Sequence, residues 1–292
     1  FKDLKNILIL GASGMLGSTL MNYFLESKIH NVRGTVRSSE SIKNCSNEFK
    51  SKIISNVDIN DDDQFLSLFN KFKPDIVINC IGVIKQLASS NDPLIILPTN
   101  SIFPHKLARF CTPKNIRVIH MSTDCVFLGD KGMYKEDDIP DATDLYGISK
   151  RIGEIDYPNT ITLRTSIIGH EINGEKSLID WFLSQSGEVN GFENAIFSGL
   201  PTVEMAHIIE KFVIPNSNLQ GLFHVSASPI SKYDLLCMVA NRYNKKIRIK
   251  KESKFKIDRS LDSKLFKTAS KYTPPKWDKL IDKMFKFREI CS

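Results

Sequence analysis

The chain has 292 residues, is 41% hydrophobic and 25% charged, and carries a formal net charge of +7, the make-up of a globular protein with a full core rather than a disordered or fibrous one. It contains no stretch of about 18 apolar residues and no basic-then-apolar leader, so neither a membrane span nor a secretory signal is expected. The six cysteines, Cys45, Cys80, Cys111, Cys125, Cys237 and Cys291, form no C-x-x-C pair and lack histidines at zinc-ligand spacing, which predicts reduced thiols in a cytoplasmic protein without a structural metal.

In chain order, short apolar runs predict strands over 7–10, 32–36, 53–57, 76–81, 118–121 and 161–163, each apolar enough to be buried on both faces. Helical patterns lie between them. The clearest is Asp62–Phe72, where Phe65, Leu66, Leu68, Phe69 and Phe72 make one stripe. Strands alternating with helices predict an α/β fold of the Rossmann type, a doubly wound parallel sheet. Beyond residue 164 the rhythm changes to helices over 177–185, 203–213, 233–243 and 277–287, with one further strand over 222–225. The chain is expected to leave the sheet, return for one helix and that strand, and complete a smaller, discontinuous mixed α/β domain. The expected division is 1–165 with 201–225 for the sheet domain and 166–200 with 226–292 for the smaller, substrate domain.

The positive excess is diffuse except for Lys245, Lys246, Arg248, Lys250, Lys251, Lys254 and Lys256, where Ile247 and Ile249 alternate with the charges at the period of a half-exposed strand. The run reads either as the solvated face of an edge strand or as a field that steers an anionic substrate. No nucleic-acid or membrane partner is expected.

Three motifs carry chemistry. In Ile7-Leu-Ile-Leu-Gly-Ala-Ser-Gly-Met-Leu-Gly17, Gly11, Gly14 and Gly17 fall between a buried strand and a helix. They suit a tight turn, close approach of backbone to a pyrophosphate, and close packing of helix on strand. The expected cofactor contacts of this turn are Gly11, Ser13, Gly14, Met15, Leu16 and Gly17. The second predicted strand ends in Thr35-Val-Arg-Ser38, with Arg37 where NAD-binding versions place a carboxylate. A guanidinium suits a 2′-phosphate, which points Arg37 and Ser38 to NADP; the alternative is a solvated surface arginine. Finally, Tyr146-Gly-Ile-Ser-Lys150 puts a phenol and an ammonium on one helical face, and the ammonium is expected to lower the phenol's pKa. This motif follows a strand ending in His120-Met-Ser-Thr-Asp-Cys-Val-Phe127, with Thr123 at a strand C-terminus, where such sheets bind ligands.

With these motifs in order, and with Asp58-Ile59, Asn79-Cys-Ile-Gly82, Asn100, Ser122-Thr-Asp124, Leu163-Arg-Thr-Ser166 and Asp258-Arg-Ser-Leu-Asp262, the chain resembles an extended short-chain dehydrogenase/reductase of the dTDP-4-dehydrorhamnose reductase branch. The resemblance implies NADPH-dependent reduction of the 4-keto group of a nucleotide-activated 4-keto-6-deoxy sugar, dTDP- or UDP-linked, for surface polysaccharide precursors. It implies Tyr146 as general acid, Thr123 as hydrogen-bond donor to the carbonyl oxygen, and Lys150 as the group that holds the nicotinamide ribose and tunes Tyr146. Asp58 and Ile59 would face the adenine, and Asn79, Cys80, Ile81, Gly82, Asn100 and Ser122 would line the cofactor channel. Val83, Asp124, Cys125 and Arg259 would meet the substrate, Arg259 at the diphosphate unless it pairs with Asp258 or Asp262 at the surface. Lys85, Gln86, Trp181, Phe182, Asn194 and Phe197 depart from the pattern expected for a dTDP-sugar.

Thr123-Asp-Cys125 lacks the glutamate of the superfamily's dehydratases. Cys125 occupies the place of the proton-exchanging cysteine in combined epimerase/reductases resembling GDP-fucose synthase. The partner histidine of that pattern would fall near Ser177-Leu178, which cannot shuttle a proton, while His170 and His207 lie farther along the chain. A non-catalytic NADP-binding regulatory subunit is the alternative of another class. The sequence leaves a homodimer open.

Overall fold

A computed structural model describes residues 4–291; the side chain of Cys291 lies outside the described residues, and Cys45, Cys80, Cys111, Cys125 and Cys237 are free thiols. The strands are β1 (Asn6–Leu10), β2 (Asn31–Thr35), β3 (Ile53–Ile54), β4 (Ile76–Asn79), β5 (Arg117–Thr123), β6 (Thr160–Thr165), β7 (Ile167–Ile168), β8 (Glu188–Phe197), β9 (Leu200–Pro201), β10 (Gly221–His224), β11 (Ile230–Ser231) and β12 (Arg248–Asp258). The α-helices are α1 (Met15–Ser27), α2 (Asn47–Ser51), α3 (Asp62–Phe72), α4 (Pro93–Ile96), α5 (Phe103–Cys111), α6 (Leu145–Ile152), α7 (Leu178–Ser184), α8 (Thr202–Ile208), α9 (Lys232–Arg242), α10 (Lys264–Ser270) and α11 (Trp277–Cys291).

Seven strands form one sheet in the order β10-β6-β5-β4-β1-β2-β3, and every pairing in it is parallel. The order reverses between β1 and β4, the crevice in which doubly wound sheets bind their ligands. Apolar side chains fill both faces. Ile7, Ile9 and Ile119 pack with Leu20, Phe24 and Met205 on one side, while Leu8, Val77 and Val118 pack with Phe65, Phe103 and Leu107 on the other. The fold is thus the expected Rossmann-type α/β architecture.

Local chemistry sets the boundaries. Helix α3 begins where the Asp61 carboxylate accepts the Asp63 and Gln64 amides, has Asp62 and Asp63 in its first turn, and stops at Lys73 in the left-handed region. Strand β3 is shorter than expected because Asn56, at φ 61°, turns the chain two residues after Ile54. The helix expected over 203–213 is α8 followed by a π-turn at Ile209–Val213.

A second sheet has the order β11-β8-β12. Its central strand β8 was not expected from the sequence. Strand β12 carries the basic run and lies at the edge, parallel to β8, with Lys250, Lys251, Lys254 and Lys256 exposed and Lys251 paired to Glu193 at 2.8 Å. Among the described residues no helix is long and apolar enough to cross a membrane, and no group of three or more His, Cys, Asp or Glu side chains could hold a metal ion.

Candidate active site

The glycine turn sits at the C-terminal end of β1, beside the switch point. Gly11 has φ +83°, and a Cβ there would press on Ile81 and the Cys80 carbonyl at 3.0–3.2 Å; only glycine fits without strain. A Cβ on Gly17 would fall 2.1 Å from the Gly11 oxygen, so this glycine lets α1 lie against the turn. Gly14 differs: a Cβ there meets nothing nearer than the Gly11 oxygen at 3.5 Å. Gly14 caps α1 with no side-chain acceptor for the first-turn amides, and that turn has no acidic residue. An uncapped helix start with open space before it suits a diphosphate. Ser13, Met15 and Leu16 complete the turn. Beyond β2, Arg37 and Ser38 are exposed, and the Ser38 hydroxyl accepts the Glu40 amide at 3.3 Å.

Across the switch point the chain after β4 is shaped from within. Asn79 is fully buried and its Oδ1 accepts the Ile81 amide at 3.1 Å, which ends the strand and turns Cys80, Ile81 and Gly82 across the crevice. Asn100 lies in a π-turn at Leu97–Ile102. Its Oδ1 accepts Val83 N–H at 2.8 Å, and its Nδ2 donates to the Val83 carbonyl at 3.0 Å and to Ser149 Oγ at 3.2 Å. The Asn100 amide hydrogens are thereby both engaged, and the residue shapes the loop over Gly82 and Val83 rather than reaching outward. Asp58 accepts from the Asn60 amide at 2.9 Å, with Ile59 beside it against the second apolar core.

Thr123, Tyr146 and Lys150 come together at the C-terminal end of β5. Helix α6 is started by Asp144, whose carboxylate accepts the Gly147 amide at 2.9 Å, and Lys85 Nζ holds the same carboxylate at 3.0 Å. Those bonds and charges outweigh its burial and hold Asp144 below the usual carboxylate range. The Thr123 hydroxyl donates to Asp124 Oδ1 at 3.2 Å and lies close enough to Tyr146 to pull its phenol down against burial. Thr123 Oγ1 also accepts the Cys125 amide at 3.1 Å. The expectation that Lys150 lowers the phenol's pKa is not met in the protein by itself. Burial, and then the nearby Cys125, push Tyr146 up, while Lys150 donates to the Met121 carbonyl at 2.7 Å and is brought down to about 8 by its own burial against the opposing pull of Glu154. Ser122 points beneath the site, donating to Glu154 Oε1 at 2.6 Å, and Arg164 clasps the same carboxylate with Nε and Nη2, each at 2.6 Å.

Next to Thr123, Asp124 is buried and raised by that burial, opposed by Arg259. Cys125 is pushed up to about 11 by burial and then by Asp124, with Arg259 acting against them. Arg259 pairs with neither Asp258 nor Asp262. Its Nε donates to the Phe127 carbonyl at 2.7 Å and its Nη1 lies 3.7 Å from Cys125 Sγ, which places the guanidinium beside Cys125, two residues after Thr123. The rest of that motif is a clamp. Ser260 Oγ accepts the Met133 amide at 2.8 Å, Tyr134 N–H donates to Ser260 O at 2.9 Å, and Asp262 N–H donates to Tyr134 O at 2.8 Å. Tyr134 stacks on Phe127 with centroids 4.1 Å apart, so the connection from β5 to α6 is fastened to the second sheet.

Several groups escaped the sequence reading. Lys85 shows no motif of its own in the sequence, although the Asp144 cap two residues before Tyr146 signals the helix start it holds. The Glu154–Arg164 pair was invisible because its partners lie on different elements. Phe182 is fully buried and Phe197 nearly so, both core residues, whereas Trp181 is exposed. Ser177 caps α7, its hydroxyl accepting the Asp180 amide at 3.1 Å. His170 is held by Asp180 at 2.5 Å and Tyr243 at 2.8 Å in a separate cleft of about 620 Å³ along α1, and His207 by Tyr23 at 3.2 Å. Neither histidine is at Cys125.

The chain is similar to several known proteins. A probable low-salt glycan biosynthesis reductase of Haloferax volcanii is 32% identical over 165 residues, 55% of this chain and 52% of that protein; the match thus spans about half of that relative. A dTDP-4-dehydrorhamnose reductase of Aggregatibacter actinomycetemcomitans is 26% identical over 242 residues, 79% of this chain and 76% of the relative. A methionine adenosyltransferase 2 subunit beta of Xenopus laevis is 23% identical over 262 residues, 82% of this chain and 72% of the relative. The crystal structure of dTDP-4-dehydrorhamnose reductase from Bacillus anthracis in complex with NADP shares the fold, with a TM-score of 0.80 at 19% identity over 97% of this chain and 99% of that one. Residues 5–288 match the RmlD substrate binding domain family, and the chain belongs to that family.

Proposed function

We propose that this protein is an NADPH-dependent reductase that converts the 4-keto group of a nucleotide-activated 4-keto-6-deoxy sugar, dTDP- or UDP-linked, to an alcohol in the making of surface polysaccharide precursors. The observation that carries the reading is the convergence of Thr123, Tyr146 and Lys150 at the end of β5, beside a switch point whose glycine turn is open to a diphosphate. The names of the Haloferax and Aggregatibacter relatives support it. We assign residues 1–165 and 201–225 to the cofactor and 166–200 and 226–292 to the sugar nucleotide.

In this reading the first turn of α1 holds the diphosphate, Arg37 the 2′-phosphate and Lys150 the nicotinamide ribose. NADPH, when bound, supplies the hydride. Tyr146 enters the reaction protonated, since burial holds its phenol above the ordinary value, and gives that proton to the carbonyl oxygen as negative charge grows there. Thr123 donates a hydrogen bond to the same oxygen. Arg259, which pairs with neither Asp258 nor Asp262, brings a cation to this end of the cleft, which suits a nucleoside diphosphate. Incubation with NADPH and a panel of 4-keto-6-deoxy nucleotide sugars tests the proposal: cofactor oxidation with at least one of them is the expected result, and none with any, while NADPH still binds, overturns it.

The likeness to methionine adenosyltransferase 2 subunit beta favours a second reading, a non-catalytic NADP-binding subunit. Under it the protein copurifies with a partner enzyme and turns over no sugar nucleotide.

Reduction is expected to proceed without inversion of the neighbouring carbons. Exchange beside a ketone needs two groups on opposite faces that titrate near the working pH. Cys125, raised to about 11, stays a thiol, and Ser177 is occupied as a helix cap. With the reaction run in heavy water, NMR of the product should show no solvent deuterium on the carbons flanking the reduced one. Label that appears there and vanishes in Cys125→Ser would establish epimerisation instead.

A further inference from the structure

Behind the catalytic groups lies a buried imidazole that the reaction does not use. His120 stands on β5, three residues before Thr123, and is 1% exposed. Alternate strand residues share a face, so His120 looks to the same side as Ser122, whose hydroxyl reaches Glu154 just past α6. Its neighbour in register on β4 is Asn79. Because Asn79 Oδ1 is fixed by the Ile81 amide, Nδ2 is the atom that faces His120 Nδ1, at 3.1 Å, and it donates. Nδ1 therefore accepts, and the ring proton resides on Nε2. That Nε2 is buried and meets no hydrogen-bond partner among the described residues.

The same region receives a second donor. Lys150 Nζ binds the carbonyl of Met121, the residue next to His120, and the charge of Lys150 acts directly on the imidazole. Burial, Lys150 and His105 together hold His120 well below its ordinary pKa and hence neutral. The imidazole N–H is thus left without an acceptor close to where the ammonium of Lys150 binds the carbonyl of the next residue, and native interiors rarely leave such a donor unmatched.

We infer that a buried water accepts hydrogen bonds from both His120 Nε2 and Lys150 Nζ, which makes His120 a positioning residue for Lys150. The inference rests on the reading of Lys150 as part of the reductase site. Its consequence is electrostatic. An acceptor at Nζ favours the ammonium over the amine, against the burial that lowers it. The other groups that act on Lys150 are Glu154 from the end of α6 and Cys80 from the end of β4, both favouring the charged form. Without His120 the water loses its anchor, and the amine is favoured at a lower pH.

The test reads the lysine itself, in protein without cofactor or sugar, so its outcome is independent of the proposed reaction. Lysine carrying ¹³C at Cε is incorporated, the Lys150 signal is assigned by its loss in Lys150→Met, and its pH titration is followed by NMR. In the wild type Lys150 is expected to titrate at about 8. His120→Leu, close in volume but with no N–H, should move it down by about half a unit or more, while His120→Gln, which keeps an N–H at the Nε2 position, should leave it within about 0.2 units of wild type. Loss of packing alone would not separate the two variants. A folded His120→Leu protein with the titration unmoved, or His120→Gln displaced as far as His120→Leu, overturns the inference. Should His120→Leu fail to fold, a high-resolution crystal structure of the wild type decides: density for a water within hydrogen-bond reach of both nitrogens supports it, and its absence refutes it.

Discussion

Replacing Tyr146 by Phe is expected to lower turnover by about a hundredfold or more while leaving NADPH affinity nearly intact, the scale that a positioned general acid supplies. The hydroxyl is the only group removed, and the ring stays on α6. Thr123 keeps its acceptor role to the Cys125 amide, so the oxyanion side of the site survives and the residual rate reports what hydrogen bonding alone achieves. A hundredfold loss corresponds to about 2.7 kcal/mol of transition-state stabilisation. Steady-state turnover and fluorescence titration of NADPH measure the two quantities separately. Turnover within a few-fold of wild type would remove Tyr146 from the mechanism, and a parallel loss of NADPH affinity would recast it as a binding residue.

Arg37→Ala is expected to erode a preference for NADPH over NADH by about ten- to a hundredfold, the worth of a charge-assisted contact to the 2′-phosphate. Arg37 is exposed beyond β2, on the same side of the sheet's end as the open first turn of α1, and its neighbour Ser38 is already used to cap the turn Ser39–Ile42. Ser38 keeps its own O–H to donate, but only the guanidinium carries a charge to match the phosphate. NADH affinity should hardly change in the variant, because the contact exists only with the phosphorylated ribose. Equal wild-type affinity for the two cofactors by calorimetric titration would show Arg37 to be a solvated arginine.

The parts of the fold that could be read from the sequence are those in which local chemistry and tertiary packing agree. Helix α3 lies at Asp62–Phe72 because its cap, its acidic first turn and its aromatic stripe all point to the same register. Strand β8 was missed because Asn190, Gly191, Glu193 and Asn194 are poor strand formers; it is held instead by β11 and β12 on either side. The same contrast runs through the site. Gly11, Gly17, Thr123, Tyr146 and Lys150 are legible because spacing along one strand or helix fixes their relations. Arg259 beside Cys125, Lys85 on Asp144, and His120 behind Lys150 depend on elements that meet only in the folded chain. The direction of the Tyr146 shift was also beyond the motif, since it is set by how deeply the phenol is buried rather than by the lysine four residues on.

The clamp between the 258–262 segment and the loop around Tyr134 bears on how such an enzyme could be recombined. The loop that runs from Thr123 to the helix of Tyr146 takes its shape partly from Ser260 and Asp262, which lie far along the chain in the half we assign to the sugar nucleotide. A chimera that imports that half from a relative imports the rail on which Tyr146 is mounted. Under the proposed reading, sugar preference and catalytic alignment are therefore inherited together, and a graft that changes one without matching the Phe127–Tyr134 face to its new partner will misplace the other.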